Sequence, residues 1–315
     1  SAAMSRIAVP EMLKHNYDKG LATGTVAASG TLGSLIPPSV LLVLYGVYAQ
    51  VSVGQLFMAG FIPGVLSALL YIAMIMVRTK LNPSLAGNTD VRSSWGEKWD
   101  AFKHIWPLPL LIGSVLGGIF MGIFSPTEAG AVGTTIAALI AFARRTLTLA
   151  AIREALVSTA VSTASIFIIL IGSLFFTRFL AMSGVPAAFS EIILGVSTET
   201  WWIILAVAVI YLVLGMFIDS IGLLLLTLPL ILPLVEGADL NLIWFGIIVV
   251  KLLEVGLVTP PIGLNVYVIK GALGNSVTLS EVFKGVTWFI VMDVVALLLI
   301  VLIPALSLYL PQKMF

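Results

Sequence analysis

Long apolar runs separated by short polar turns fill most of this 315-residue chain. A helix needs about 20 apolar residues to cross a bilayer. The runs that approach this length occupy residues 21–49, 54–77, 105–123, 127–143, 155–181, 201–217, 221–235, 242–270 and 286–310. The pattern therefore predicts an all-α polytopic membrane protein.

Two of these runs are interrupted by prolines and glycines. The first reads GTLGSLIPPS at residues 30–39, and the second reads TPPIGLN at residues 259–265. Lipid cannot satisfy the backbone groups that such breaks release, so breaks are tolerated only inside protein or beside a polar cavity.

The two breaks belong to an internal repeat with an offset of 223 residues. At this offset Gly33 falls on Gly256, and three prolines fall on prolines: Pro10 on Pro233, Pro37 on Pro260 and Pro38 on Pro261. A packing kink would explain one Pro-broken helix. Paired breaks at matching positions of two halves instead indicate the binding site of a secondary transporter.

Charge predicts the relative orientation of the two halves. The turn after Pro10 carries Lys14 and Lys19, whereas the matching turn carries Glu236 and Asp239 and no base. Because Lys and Arg favour cytoplasmic loops, the repeats should be inverted. Residues 1–12 and 221–235 then become the return arms of two re-entrant hairpins. By symmetry the incoming arm of the first hairpin would precede residue 1, so we expect a membrane domain that lacks its N-terminal part.

Residues 81–104 carry most of the mid-chain charge and a stripe of aromatic residues. Trp95, Trp99, Phe102 and Trp106 recur at helical spacing. This predicts an amphipathic arm in the membrane interface, with a soluble loop as the alternative.

Composition excludes several classes of protein. The chain is 60% hydrophobic and 10% charged, with a mean hydropathy of +1.14. A net charge of +1 argues against nucleic-acid binding, and the absence of cysteine excludes disulfides and thiolate chemistry. The two histidines, His15 and His104, are far apart. No P-loop sequence is present, so this chain does not hydrolyse ATP through one.

Several charged residues lie inside the apolar runs. Asp219 lies near the proposed tip of the second hairpin. There it can provide an oxygen to a functional site, cap the next helix, or do both. Lys251 and Glu254 are spaced for an intrahelical pair, and a neutralised pair is favoured over a proton relay. Arg178 and Asp293 have no assigned role, and Asp293 has no partner nearby in sequence.

Two local patterns predict packing and capping. Ser125, Pro126 and Glu128 form the sequence of a helix start with a capping box. Gly60 and Gly64 form a GxxxG pair that suits close helix packing.

Taken in order, MSRIAVPEM, GTLGSLIPPS, FSPTEAGA, GMFIDS and VTPPIGLNVYV resemble the large membrane subunit of tripartite ATP-independent periplasmic (TRAP) transporters. The resemblance implies Na⁺-driven uptake of a carboxylate by an elevator motion. Hairpins and broken helices would form the moving transport domain, and the other helices the scaffold. It also implies a bacterial inner-membrane location, a small four-helix membrane subunit and a soluble periplasmic binding protein. Sialic acid is preferred over a C4-dicarboxylate on overall likeness alone.

These expectations divide the chain into six parts. They are residues 1–52 (first hairpin arm and broken helix), 53–80 (scaffold helix), 81–104 (interfacial arm), 105–200 (scaffold and linking helices), 201–271 (second hairpin and broken helix) and 280–315 (C-terminal scaffold helix).

Freed carbonyls at the breaks predict two symmetry-related Na⁺ sites with the substrate between them. The sodium candidates are Gly33, Ser34, Ile36, Pro37, Asp219, Ser220, Gly256, Thr259 and Pro260. The substrate candidates are Ser1, Pro38, Ser39, Pro261 and Asn265. An ion channel and a membrane-embedded hydrolase remain alternatives. Paired breaks suit alternating access better than a pore, and no helix offers a base beside a nucleophile.

Overall fold

A computed structural model describes residues 2–87 and 94–314, the side chains of residues 97, 98, 101 and 104 excepted. Every regular element in these ranges is helical. The α-helices are α1 (Ala2–Lys14), α2 (Lys19–Leu32), α3 (Val40–Tyr48), α4 (Val53–Leu81), α5 (Trp95–Ile105), α6 (Pro107–Phe120), α7 (Pro126–Ala143), α8 (Leu149–Ser183), α9 (Val185–Val196), α10 (Thr200–Gly215), α11 (Ser220–Gly237), α12 (Leu242–Val258), α13 (Leu264–Leu273), α14 (Leu279–Leu302) and α15 (Ala305–Met314).

Within the described ranges, five helices are long and apolar enough to cross a membrane: α4, α7, α8, α11 and α14. The shorter apolar helices α6, α9 and α10 add to them. The protein is therefore a multi-pass membrane protein, as the hydrophobic pattern predicts.

The chain forms two compact units. The first contains the described residues 2–87 and 173–313, and the second contains residues 94–172. In the second unit α6 packs on α7, and the Phe124 ring occupies the space beside Gly118. The predicted capping box is confirmed at the start of α7, where Ser125 Oγ accepts the Glu128 N–H at 3.3 Å and Glu128 accepts the Ser125 N–H at 2.7 Å.

Both predicted broken helices are present. Residues 33–39 separate α2 from α3, and residues 259–263 separate α12 from α13. Adding 223 to the bounds of α2 gives 242–255, which lies within α12 (Leu242–Val258). The repeat detected from four residues therefore extends to whole helices.

The match includes local backbone detail. Asp18 and Asn241, which are 223 residues apart, cap α2 and α12 through side-chain oxygens that accept backbone N–H groups. Asn16 and Asp239, at the same offset, both adopt positive φ, at 60° and 55°. Left-handed backbone is uncommon outside glycine, and Asn and Asp tolerate it best. Each pair lies in the turn that precedes a broken helix.

Corresponding helices run in opposite directions. Adding 223 to α4 gives 276–304, which brackets α14 (Leu279–Leu302). Tyr71 of α4 contacts Asp293, whereas Arg78, nearer the end of α4, contacts Trp288, nearer the start of α14. The two helices are therefore antiparallel, which is the arrangement that inverted repeats produce.

Glycines set two of the closest helix contacts. A Cβ on Gly24 would lie 2.6 Å from the Gly285 backbone, so α2 and α14 touch through their main chains. A Cβ on Gly60 would lie 2.5 Å from the Leu35 carbonyl oxygen, and one on Gly64 would meet the Ile36 side chain. The Gly60–Gly64 pair therefore lets α4 pack directly over the first break.

Three segments differ from the sequence pattern. In the described part of the predicted arm, a 3₁₀ turn at Pro83–Ala86 follows α4, and the amphipathic helix is α5 (Trp95–Ile105). Residues 88–93 of that arm lie outside the described residues. The apolar runs do not predict α9, and the last one divides into α14 and α15 beside Pro304.

The exposed aromatic residues of α5 fit the predicted interfacial face. Trp95 is 86% exposed and Trp99 61% exposed, and the Trp99 and Phe102 rings stack with centroids 5.6 Å apart. Whether the arm lies in the interface stays a prediction.

Candidate functional site

The second break begins where prolines end α12. Pro260 and Pro261 have no N–H to donate, so the Gly256 and Leu257 carbonyls lose their usual helical partners. The Thr259 N–H bonds to the Gly256 oxygen at 3.2 Å, and the Thr259 hydroxyl donates to the Val255 carbonyl at 2.6 Å. The peptide between the two prolines is cis. The result is a non-helical segment with oxygen atoms at its surface.

A helical hairpin packs against the helix that leads into this break. Helices α10 and α11 are joined by residues 216–219, and they pack on each other and on α12. A Cβ on Gly256 would lie 2.9 Å from the Cα of Gly215, so the backbones of α10 and α12 are in direct contact. This contact lies four residues before Asp219 and three before Thr259.

Asp219 caps the returning arm of the hairpin. Its Oδ1 accepts the N–H groups of Ile221 at 2.9 Å and Gly222 at 3.3 Å, and the side chain is exposed. The capping interpretation is therefore confirmed, and an ion role for the remaining oxygen stays a prediction. Ser220 Oγ is buried and has no hydrogen-bond partner. A buried hydroxyl without a partner is unfavourable unless a ligand or water satisfies it.

The first break is closed by a serine. The Ser39 hydroxyl donates to the Ser34 carbonyl, and its oxygen accepts the Leu42 N–H at 3.3 Å as the N-cap of α3. The Pro37–Pro38 peptide is cis, as in the second break. Ser39 is therefore a buried structural link across the break, a role that its predicted place among the substrate residues did not include.

Hydrogen bonds across the two repeats hold the broken helices side by side. The Asn265 amide donates to the Ala27 carbonyl at 2.8 Å, and the Tyr45 hydroxyl donates to the Leu242 carbonyl at 2.7 Å. The two repeats also pack on each other through other helices, since α1 packs on α13 and α11 packs on α3. The two breaks thus belong to one interlocked set of helices.

A buried ionic cluster lies one to two turns before the second break. Lys251 Nζ is 2.6 Å from Asp293 Oδ1 and 3.1 Å from Glu254 Oε2, and all three side chains are fully buried. The Tyr71 hydroxyl donates to the same Asp293 oxygen at 2.5 Å. The intrahelical Lys251–Glu254 pair is therefore as predicted. The sequence, however, could not reveal Asp293 as a partner, because it lies 42 residues from Lys251.

The predicted ligands fall into two local groups. One group belongs to the second repeat, where Gly256 is buried, Ser220 and Thr259 are partly buried, and Pro260 and Pro261 are exposed. In the first repeat, Pro37 and Ser39 are buried, Ser34 and Ile36 are partly buried, and Gly33 and Pro38 are exposed. Ser1 lies outside the described residues.

Sequence reasoning missed the contacts that assemble these groups. Gly215 was not singled out, although its close contact with Gly256 sets the hairpin against the break. The spacing of the Gly60–Gly64 pair was visible, but its partner at the first break was not.

Paired broken helices and antiparallel corresponding helices are typical of multi-pass transporters with inverted repeats. A family model described as "Tripartite ATP-independent periplasmic transporter, DctM component" matches residues 1–306. The chain belongs to this family, as the resemblance of its motifs predicts. It is a transporter permease component and not an enzyme, which removes the alternative of a membrane-embedded hydrolase.

Proteins similar to this chain are named for several different substrates. The chain is 32% identical to a C4-dicarboxylate TRAP transporter large permease protein of Pseudomonas aeruginosa, over 99% of this chain and 72% of that protein. It is 30% identical to a sialic acid TRAP transporter permease protein of Haemophilus influenzae, over 99% of this chain and 50% of that protein. It is also 30% identical to an isethionate TRAP transporter permease protein of Oleidesulfovibrio alaskensis, over 98% of this chain and 48% of that protein.

Proposed function

We propose that this chain performs Na⁺-coupled uptake of an organic acid across the bacterial inner membrane by an elevator motion. The hairpins and broken helices form the moving transport domain, and the remaining helices form the scaffold. The observation that carries this proposal is the contact of the α10–α11 hairpin with the second break, through Gly215 and Gly256. This contact supports the proposal because it sets the hairpin beside the last turn of α12, three residues before Thr259.

The second Na⁺ site consists of Asp219, Ser220, Gly256, Thr259 and Pro260. Hard cations prefer oxygen ligands, and this set supplies a carboxylate, hydroxyls and backbone carbonyls. Among the described residues, Ser220 Oγ is buried without a hydrogen-bond partner, which supports a ligand at this position. The Thr259 hydroxyl donates its hydrogen to the Val255 carbonyl, so its oxygen can only accept, and this supports a cation rather than an anion.

The first Na⁺ site consists of Gly33, Ser34, Ile36 and Pro37. Pro37 cannot donate to the Gly33 carbonyl, so that oxygen lacks its usual helical partner. The Ser39 hydroxyl already donates to the Ser34 carbonyl, which fixes the shape of the segment. The matched position of the two breaks is the support for a symmetry-related pair of ions.

The substrate carboxylate lies between the two ions. Helices α3 and α13 both begin at a break, and the N-terminus of a half-helix carries a positive partial charge that favours a carboxylate. Among the described residues, Pro38, Ser39, Pro261 and Asn265 are the proposed substrate contacts, and Ser1 remains a candidate from the sequence alone. Ser39 and Asn265 already bond to Ser34 and Ala27, so they serve chiefly to place the two half-helices.

Sialic acid and C4-dicarboxylates are the leading substrates, because similar proteins are named for them. A soluble periplasmic binding protein delivers the substrate, and a small four-helix membrane subunit completes the scaffold. Bound Na⁺ offsets the negative charge of the substrate, so that each ligand raises the affinity of the other.

The test is uptake into proteoliposomes that contain the full transport system, measured against Na⁺ concentration. Asp219→Asn and Thr259→Val should each raise the Na⁺ concentration for half-maximal uptake. Asp18→Asn is a matched control, because Asp18 caps α2 as Asp219 caps α11 but lies away from the proposed ion site. If Asp219→Asn and Thr259→Val both retain the wild-type Na⁺ response, the second ion site is wrongly assigned.

A further inference from the structure

A cavity of 360 Å³ lies between α4 and α14, near the end where α4 stops and α14 starts. Its walls are apolar side chains such as Val77, Leu81 and Met292, together with Arg78 and Trp288. Val77, Leu81 and Trp288 are 56%, 81% and 48% exposed. In a chain that spans a membrane, this apolar opening faces lipid rather than water.

Arg78 lies at the polar end of the cavity, and its guanidinium can donate further hydrogen bonds. Its guanidinium lies over the Trp288 ring, 5.2 Å from the centroid, and its Nη1 is buried without a hydrogen-bond partner. Asp18 lies near enough to interact electrostatically with Arg78, but its Oδ1 accepts the Leu21 N–H at 2.8 Å. Arg78 as a whole is only partly buried, so its guanidinium can donate to an anion that enters from the mouth of the cavity.

Further basic groups lie at the same end of the helix pair. Lys80 is exposed in the last turn of α4. Lys284 is exposed on α14, four residues before Trp288, so it lies on the same face one turn nearer the helix start. Basic pockets between transmembrane helices on the cytoplasmic side bind anionic lipid headgroups. Positive charge therefore lies where the headgroup of a lipid in the cavity would be.

We propose that the cavity between α4 and α14 is a binding site for one anionic phospholipid. An acyl chain lies along the apolar wall, and the phosphate accepts from the accessible part of the Arg78 guanidinium, with Lys80 and Lys284 near the headgroup. Trp288 holds the guanidinium in place through the cation–π contact. This site is separate from both broken helices and does not depend on the identity of the transported substrate.

Native mass spectrometry of the detergent-purified chain, titrated with phosphatidylglycerol or phosphatidylcholine, tests the site. We expect one phosphatidylglycerol to bind more tightly than phosphatidylcholine, by about fivefold for each basic residue that lies near the headgroup. Arg78→Gln should therefore reduce the preference by about fivefold, and Trp288→Leu should reduce it by less. Arg178→Gln is the matched control, because Arg178 is an exposed arginine of the apolar helix α8, away from this cavity.

Two results would overturn the proposal. One is phosphatidylglycerol binding by Arg78→Gln that equals the wild type. The other is displacement of the bound lipid by excess inorganic phosphate, which would show that the site takes a free anion instead of a phospholipid. A circular dichroism melt of each variant, equal to the wild type, excludes unfolding as the cause of lost binding.

Discussion

The two broken helices have matching backbone conformations but differ in their charged residues. They have matching caps, matching left-handed residues in the preceding turn and matching Pro-Pro breaks. At the offset of 223 residues, however, Ala28 corresponds to Lys251 and Thr31 to Glu254. In the first repeat, the uncharged Thr31 hydroxyl donates to the Ala28 carbonyl at 2.8 Å and also interacts with Tyr71. In the second, the two side chains join Asp293 and Tyr71 in a buried ionic cluster.

This difference shows that the repeat conserves the backbone conformation of the broken helices, whereas different side-chain contacts hold each broken helix in place. At the first break, the Gly60–Gly64 pair of α4 packs directly on Leu35 and Ile36. Before the second break, a buried ionic cluster connects α12 to α4 and α14. A buried cluster of this kind fixes one arrangement of helices, because any other would leave charges without partners.

The largest expected effect comes from breaking the cluster. Lys251→Met leaves two fully buried carboxylates without their shared ammonium, which should cost about 3–5 kcal/mol of stability. Thr31→Val, in the first repeat, removes an uncharged hydroxyl that bonds to Ala28 and Tyr71, which should cost about 0.5–1.5 kcal/mol for each hydrogen bond. Thermal unfolding in detergent measures both. Equal losses of stability in the two variants would mean that the buried charges of the second repeat do not add to its stability.

The next effect concerns the glycines at matching positions of the two breaks. Gly256→Ala would force its new Cβ to 2.9 Å from the Gly215 Cα, and this overpacking should cost about 1–3 kcal/mol and displace the hairpin. At Gly33, whose φ is −63°, a Cβ would meet only the Gly30 oxygen at 3.8 Å, so Gly33→Ala should be tolerated. Unfolding and Na⁺-dependent uptake check this pair. A tolerated Gly256→Ala would show that the hairpin does not rest on the break.

The smallest effect concerns the link between the repeats. Asn265→Leu removes the hydrogen bond to the Ala27 carbonyl and should cost about 1 kcal/mol. Because the bond holds the two broken helices together, uptake should fall more than this stability loss alone would cause. Uptake rates and melting temperatures of the same preparation compare the two. Unchanged uptake would show that the bond serves packing only.

Much of this architecture could be predicted from the sequence. The hydrophobic runs located nearly all the spans, and four matching residues revealed the repeat, because Gly and Pro impose backbone geometry wherever they occur. Charge in two short turns indicated the inversion. The helix α9 was missed, since a run of twelve residues between Gly184 and Ser197 is too short to stand out as a span.

Long-range partners could not be predicted. Asp293 had no visible partner, because Lys251 approaches it only once α12 and α14 pack together. Gly215 is one glycine among 28, and only its contact with Gly256 distinguishes it. Likewise, Ser39 and Asn265 were predicted at the substrate, but their hydrogen bonds to Ser34 and Ala27 depend on the folded breaks. Pattern thus predicts elements, while packing decides which side chains meet.

The inverted orientation of the two repeats is the central claim, and cysteine accessibility tests it most directly. The chain has no cysteine, and His15 and Ala238 occupy matching turns at the offset of 223 residues, both at least partly exposed. In sealed, oriented vesicles, His15→Cys should react with a membrane-impermeant reagent only from the cytoplasmic side, and Ala238→Cys only from the periplasmic side. Labelling of both cysteines from the same side would contradict the inverted repeat and the transport mechanism built on it.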